Sequence, residues 1–428
     1  MIISSIDLKD GKVVQLRQGK DLVLERDNPD ELIREFDRYG EVAIIDLDAA
    51  LRNTRSDGTT ANTAILKRLL RQGSVRVGGG IRDAKKAKEL ISLGAQKIII
   101  GSAAFTLSDG SPGVNAEFLD ALAQAVGKER IIVSVDARDG KIAVKGWTES
   151  AGIDLVEGAQ AVEKWASELL FTCVEREGTM TGIDLDLVTK LRQAVSCRLV
   201  VAGGVSTVDE VVALERLGCD VQLGMALYTG KVSLADGFIS CLDWEKEALL
   251  PVVAQAESGE VLMVGYANRE ALAKTFENGN LTFWSRSRSK LWTKGETSGN
   301  TLSVVRLRVD CDRDTILATV RPAGPTCHTG AWTCFQTTAD RPYSLPFLSS
   351  IIADRFANPR PGSYTATLTA ERVREKIEEE AEELIEAEGK DDVVWEVADL
   401  LYFMNVLMYR EGVSWQDVLD ELDKRHKK

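Results

Sequence analysis

"SIDLKDG" at residues 5–11 returns as "SVDARDG" at residues 134–140, an offset of 129. The echo has company: "VGGGIR" at 77 returns as "VAGGVS" at 201, "GSAAF" at 101 as "GMALY" at 224, and "IID" at 44–46 matches "LFT" at 170–172. Those offsets are 124, 123 and 126, so four strand ends recur in the same order and describe two similar halves. Short apolar runs alternate with helical patterns as far as residue 238, which predicts parallel strands covered by helices. Eight such units close into a (β/α)8 TIM barrel over residues 1–238.

A barrel of this kind carries its chemistry at the C-terminal ends of its strands. Asp7 and Asp136 fall there in strands one and five, on opposite sides of the mouth, where two carboxylates can serve as acid and base. A bare "DxxDG" is also a turn cap, but its repetition favours function. Gly79, Gly80 and Gly101, followed by Ser102, and the matching Gly203, Gly204 and Gly224 let backbone N–H groups approach an anion closely. Two such cradles half a barrel apart suit a substrate with a phosphate at each end.

The chain has 428 residues, and at roughly 150 per domain about three domains are expected. With 44% apolar and 28% charged residues the composition is that of folded domains. A net charge of −13 argues against nucleic acid or an acidic membrane as the main partner. No export segment or bilayer-length apolar run is visible, which predicts a soluble, cytoplasmic protein. Seven scattered cysteines make a disulfide framework improbable and leave thiols or metal ligands.

From about Leu242 short β-rich runs take over, and residues 242–340 read as a β-rich α+β domain. Arg286, Arg288, Lys290 and Lys294 make a basic patch that suits a nucleotide phosphate, or a solvated surface. In "VDCDRDT" a strand period of two puts Asp310, Asp312 and Asp314 on one face and Cys311 on the other. The oxygens suit Mg²⁺ and the thiolate Zn²⁺. "GPTCHTGAWTCF" adds Cys327 and Cys334, with His328 beside the first. Three cysteines leave an open zinc position for catalysis, whereas His328 as fourth ligand makes a closed structural site.

A polar connector around "TTADRPYSLP" leads to an all-α segment over residues 345–428. "LTAERVREKIEEEAEELIEAE" opens on a threonine cap and puts Glu379, Glu380 and Glu383 at helical spacing. "DVVWEVADLLYFMNVLMY" is apolar almost all round yet holds Glu396 and Asp399 one turn apart. Buried carboxylates are costly unless paired or metal-bound, so two such helices facing each other predict a Mg²⁺ pocket.

Three resemblances follow from these motifs. Through "IDLKDGKVVQLRQG", "VGGGIR", "VDARDG", "KGWTE" and "LYTG" the barrel resembles phosphoribosylformimino-aminoimidazole carboxamide ribotide (ProFAR) isomerases. That resemblance implies an Amadori rearrangement with Asp7 and Asp136 as base and acid, Thr172 assisting, Trp147 stacking on substrate and Arg17 as a basic contact. The sequence departs at Ser4, Cys173 and Glu177, the last two where the family usually has aspartate. Residues 242–340 resemble phosphoribosyl-AMP cyclohydrolases through "VLMVGYANREAL", "WSRSRSKLW", "KGETSG", "DCDRDT" and "CHTGAWTCF". This implies zinc at Cys311, Cys327 and Cys334 with Cys311 reaching a partner subunit's site in a homodimer, magnesium at Asp310, Asp312 and Asp314, and His328 as proton carrier. Asn300 stands where many relatives have His. Residues 345–425 resemble phosphoribosyl-ATP pyrophosphohydrolases, all-α relatives of the MazG-type hydrolases, through "KIEEEAEEL" and "EVADLLY". This implies Mg²⁺ at Glu380, Glu383, Glu396 and Asp399, with Phe403 replacing a common His.

Read from C-terminus to N-terminus, the three resemblances imply consecutive steps of histidine biosynthesis on phosphoribosyl-nucleotide substrates. The rival expectation is a bifunctional cyclohydrolase and pyrophosphohydrolase whose barrel is non-catalytic or isomerises phosphoribosylanthranilate.

Overall fold

The computed structural model describes residues 1–106, 113–336 and 343–426. Most of the polar connector, residues 337–342, and the last two residues of the helical segment lie outside that range. The chain forms two compact units, Met1–Ala254 with Met263–Gly324, and Gln255–Leu262 with Pro325–Lys428.

In the first unit eight parallel strands, β1 (Ile2–Lys9), β2 (Glu41–Asp46), β3 (Val75–Gly78), β4 (Lys97–Ile100), β5 (Ile131–Ser134), β6 (Glu168–Thr172), β7 (Arg198–Ala202) and β8 (Cys219–Leu223), pair in sequence order. β8 then pairs with β1 through Ile2↔Val221 and Ser4↔Leu223, closing the expected barrel. Two antiparallel strands, Lys12–Arg17 and Asp21–Arg26, extend from β1.

The period of two along each strand sorts the barrel interior into layers. Near the strand starts, Glu41, Arg76, Lys97, Glu168 and Arg198 meet across the axis. Arg76 is buried and donates to Glu168 at 2.7 Å, and Glu168 also accepts from Arg198 at 2.8 Å. One step up, Ile3, Ala43, Ile99, Ile132, Leu170 and Val200 form an apolar plug. Ser5 and Ser134 follow, and Asp7 and Asp136 stand at the mouth. The alternate residues, such as Ile44, Val77, Ile98 and Val201, face outward into the helix-covered core. Burying charge at the closed end and carboxylates at the open end is thus one consequence of strand register.

The β-rich segment comprises β9 (Leu250–Ala256), β10 (Val261–Ala267), β11 (Thr282–Ser285), β12 (Lys290–Thr293), β13 (Leu302–Val309) and β14 (Ile316–Pro322). A four-stranded sheet runs β10-β9-β14-β13, beside a β11–β12 ribbon and the helix Arg269–Asn278. Within the first unit this segment packs on the barrel. The Tyr39 ring stacks on Phe276 at 4.0 Å, Leu307 N–H donates to the Arg38 carbonyl at 2.8 Å, and Arg306 donates to Ser74 Oγ at 2.7 Å.

One local expectation is corrected here. Asp310–Asp314 is not a strand, because β13 ends at Val309 and the five residues form the turn into β14. The three aspartates still converge, but through turn geometry: Arg313 has φ 62, and Asp310 accepts from the N–H groups of Asp314 and Thr315, each at 3.1 Å.

The second unit contains the helices α1 (Leu345–Ala357), α2 (Ala370–Glu386), α3 (Lys390–Glu411) and α4 (Trp415–His426). The Thr369 hydroxyl accepts from Arg372 N–H at 3.1 Å, the expected cap of α2. α3 stops at Gly412, whose left-handed φ of 67 lets its N–H reach back to the last turn. Leu348, Ile352, Leu368, Val373, Phe403 and Val406 form the core, so Phe403 fills space. The even hydrophobicity of α3 does not translate into even burial. Trp395 is 69% exposed and Val394 59%, because the neighbouring helices of one chain cover only one side of α3.

Candidate functional sites

The barrel mouth encloses a cavity of about 270 Å³. Each of its two facing aspartates sits two residues above a serine on the same strand. Ser5 Oγ donates to Asp7 at 2.8 Å, and Ser134 Oγ donates to Asp136 at 2.6 Å. Asp136 also accepts the Trp147 indole N–H at 2.7 Å and a hydrogen bond from Thr172. Burial raises Asp7 to about 6, against the lowering effect of Ser5. Burial raises Asp136 too, opposed by its three donors.

A third carboxylate completes the mouth. Glu177, on the loop after β6, lines the cavity and is pushed up to about 8, first by burial and then by the charges of Asp7 and Asp136. In the sequence it is merely a departure from the aspartate its relatives carry. Only the fold brings its loop over β1 and β5, and an acidic residue after a strand end was the available signal. Cys173 is buried, with its thiol pushed up to about 11, which makes it an inert packing residue.

The glycine sets match in backbone as well as sequence. Gly79 and Gly80 have φ 106 and 69, and Gly203 and Gly204 have φ 85 and 89. Gly101 (φ −99, ψ −115) and Gly224 (φ −115, ψ −95) share a second unusual conformation. All six line the cavity, together with Ser102 and Trp147. Ser102 Oγ accepts from Lys145 N–H at 2.7 Å and so anchors the loop that carries Trp147. Arg17 is exposed and is not among the lining residues.

In the β-rich segment Asp310, Asp312 and Asp314 bring carboxylate oxygens within 4.8 Å of one another. The ammonium of Lys246 sits against them, 2.6 Å from Asp312 and 2.9 Å from Asp314, a stand-in for a cation. Cys311 belongs to the first unit, whereas Cys327, His328 and Cys334 belong to the second. Thr329 Oγ donates to Cys327 Sγ at 3.2 Å, which draws that thiol below its ordinary value toward the thiolate a metal needs. His328 is exposed, with Nδ1 3.8 Å from Cys327 Sγ. Arg286 stacks over Tyr266 and Arg288 over Trp292. Lys294 leaves the expected surface patch: it is 6% exposed and donates to the Asn300 carbonyl at 3.3 Å.

On the helices, Glu380, Glu383 and Glu396 also bring oxygens within 4.8 Å of one another. Glu396 Oε2 is buried without a hydrogen-bond partner among the described residues. Its carboxyl is raised by burial, then by Glu383, Glu380 and Asp399. Lys376 pairs with Glu379 and Glu380 at 2.8 Å each, and among the described residues no ion pair reaches Glu383, Glu396 or Asp399. Gathered carboxylates with one orphaned oxygen fit a divalent cation.

The family model for histidine biosynthesis proteins matches residues 1–233. The chain belongs to that family. In this histidine biosynthesis protein, models for phosphoribosyl-AMP cyclohydrolase and phosphoribosyl-ATP pyrophosphohydrolase match residues 263–336 and 345–426. Its C-terminal part is 43% identical over 204 residues to the histidine biosynthesis bifunctional protein HisIE of Photobacterium profundum, covering 44% of this chain and 99% of the relative. It is 46% identical over 193 residues to the protein of the same description from Escherichia coli K12, covering 43% and 95%. The chain is therefore a fused, multifunctional histidine-biosynthesis enzyme with isomerase, cyclohydrolase and pyrophosphohydrolase activity. No helix among the described residues is long and apolar enough to cross a membrane.

Proposed function

We propose that the three activities are successive. Phosphoribosyl-ATP loses pyrophosphate at the α2–α3 carboxylates, the adenine ring of phosphoribosyl-AMP is opened at the cysteine segment, and the resulting ProFAR is isomerised in the barrel. The observation that carries the barrel reading is the pair of serine-buttressed carboxylates on β1 and β5, held in one cavity with a third carboxylate, Glu177.

The isomerisation needs an acid to protonate the ribose ring oxygen, so that the ring opens to a C1 iminium. A base then takes the C2 proton, its electrons form the C1–C2 enaminol, and tautomerisation gives the aminoketose. Asp7, at about 6, is mostly ionised at neutral pH and can take the C2 proton. Asp136 is the acid that the resemblance implies, and burial raises it in that direction while its three donors pull the other way. Glu177, at about 8, holds its proton at neutral pH, which favours a second reading: Glu177 donates the proton while Asp136 stabilises the cationic intermediate. The glycine sets hold the terminal phosphates through backbone N–H groups, and Trp147 flanks the reacting sugar.

In the other two segments, Cys311, Cys327 and Cys334 would hold zinc, and Asp310, Asp312 and Asp314 with Glu380, Glu383, Glu396 and Asp399 would hold magnesium. When bound, these ions supply Lewis acidity and neutralise phosphate charge. Arg286 and Arg288 attract nucleotide phosphates, and His328 is exposed beside the reaction as a proton carrier. The uncovered side of α3 supports association of two copies, with Cys311 contributed to the partner subunit's site.

The test is to give the purified full-length chain phosphoribosyl-ATP with Mg²⁺ and Zn²⁺ and separate the two isomeric ribotides by chromatography. Accumulation of the ketose is expected from the unmodified chain and of the aldose from Asp7→Asn. Aldose from both would reduce the barrel to a binding module.

A further inference from the structure

We infer that Glu215, a residue of the barrel, positions the Asp310–Asp314 turn of the neighbouring segment, so that cation binding at the turn depends on the barrel. This rests on reading Asp310, Asp312 and Asp314 as cation ligands.

The three aspartates converge because the turn reverses at Arg313, which sits between two of them with φ 62. A left-handed backbone is costly for an arginine, and glycine or asparagine is the usual choice there. What arginine adds is reach. Its guanidinium pairs with Glu215, a carboxylate 3% exposed, which also takes the amino group of Met1. Glu215 lies in the barrel helix Val208–Arg216, which leads into the start of β8 and so stands at the opposite end of the barrel from Asp7 and Asp136. The Arg313 carbonyl is fixed as well, accepting from Asp243 N–H at 2.8 Å in the chain that leaves the barrel. Three residues on, Lys246 holds Asp312 and Asp314. Thus the turn is clamped from outside its own sheet, by a buried anion and by the segment tethering it to the barrel. A surface arginine needs none of these contacts. Arg313 has the Glu215 pair and the Asp243 hydrogen bond at the left-handed position of the turn that carries the three carboxylates.

The probe is Mn²⁺, titrated into the full-length chain and followed by electron paramagnetic resonance of the free ion. The chain carries Glu380→Gln and Glu396→Gln to silence the helical carboxylates. Glu215→Gln and Arg313→Ala each weaken Mn²⁺ binding by about fivefold, the equilibrium equivalent of a lost left-handed conformation. Arg313→Gly stays within about twofold of the parent, because glycine adopts that φ unaided, and Glu215→Gln then adds nothing. Arg313→Ala and Arg313→Gly remove the same charge, so their difference isolates the backbone. Retained isomerase activity shows that Glu215→Gln leaves the barrel folded. Unchanged affinity in Glu215→Gln and Arg313→Ala, or equal weakening by Ala and Gly, overturns the inference while leaving the ligand reading intact. Failure of Asp312→Asn to lower Mn²⁺ affinity overturns both.

Discussion

Replacing Glu177 with glutamine is expected to make the protein more stable and less active at once. In the folded chain the Glu177 carboxyl stands at about 8 against an ordinary 4.5, so between those values the native state keeps a proton that the unfolded chain has released. Stability therefore falls as pH rises through this window, at about 1.4 kcal/mol per pH unit. From 4.5 to 7 the cost is about 3 kcal/mol, which local relaxation reduces to about 2. Glutamine has the same shape and no ionisation, so it removes that cost. Calorimetry of the full-length chain, following the transition that abolishes isomerase activity, is expected to show Glu177→Gln unfolding several degrees above the parent at pH 7.5 and close to it at pH 4.5. Isomerase kcat falls by about 100-fold in the same variant, the usual worth of a positioned proton donor. A stability difference independent of pH, or a variant that unfolds earlier at pH 7.5, would refute the assignment of a buried, protonated carboxyl.

Three further outcomes follow from the structure. Trp147→Phe keeps the ring but deletes the N–H that donates to Asp136, so isomerase kcat is expected to fall about tenfold, with pyrophosphate release unchanged in a coupled assay. Arg76→Met strands Glu168 among fewer partners at the closed end of the barrel, and urea denaturation is expected to show about 3 kcal/mol of lost stability. Glu396→Gln removes the carboxylate with the orphaned oxygen, and pyrophosphate release is expected to fall by about 100-fold while calorimetric Mg²⁺ affinity weakens in parallel.

The barrel could be read from sequence because its inward residues repeat: a serine two positions before a catalytic-type aspartate is the same structural layer in both halves. The matched backbone of the two glycine sets was legible for the same reason. Glu177 was not, since its significance depends on two carboxylates more than forty residues away that meet it only in three dimensions. The aspartate trio was found with the wrong cause, because alternation in "DCDRDT" mimics a strand while Arg313 turns the chain. Lys294 looked like surface charge beside Arg286 and Arg288, but the fold tucks its stem inward toward Asn300. In α3, hydrophobicity reports that a surface wants cover without saying whether the same chain supplies it.

The near-identity of the two glycine cradles has an awkward side. On the proposed reading, a molecule with a phosphate at each end would fit them in either sense, and only one sense would bring its sugar to Trp147 and Glu177. Those two residues have no counterparts in the other half, so they act as the site's compass. Molecules bound in the reversed sense would occupy the mouth without reacting and compete with the productive sense for one site, which lowers kcat and KM by the same factor and leaves kcat/KM unchanged, an effect expected to grow when the indole is removed.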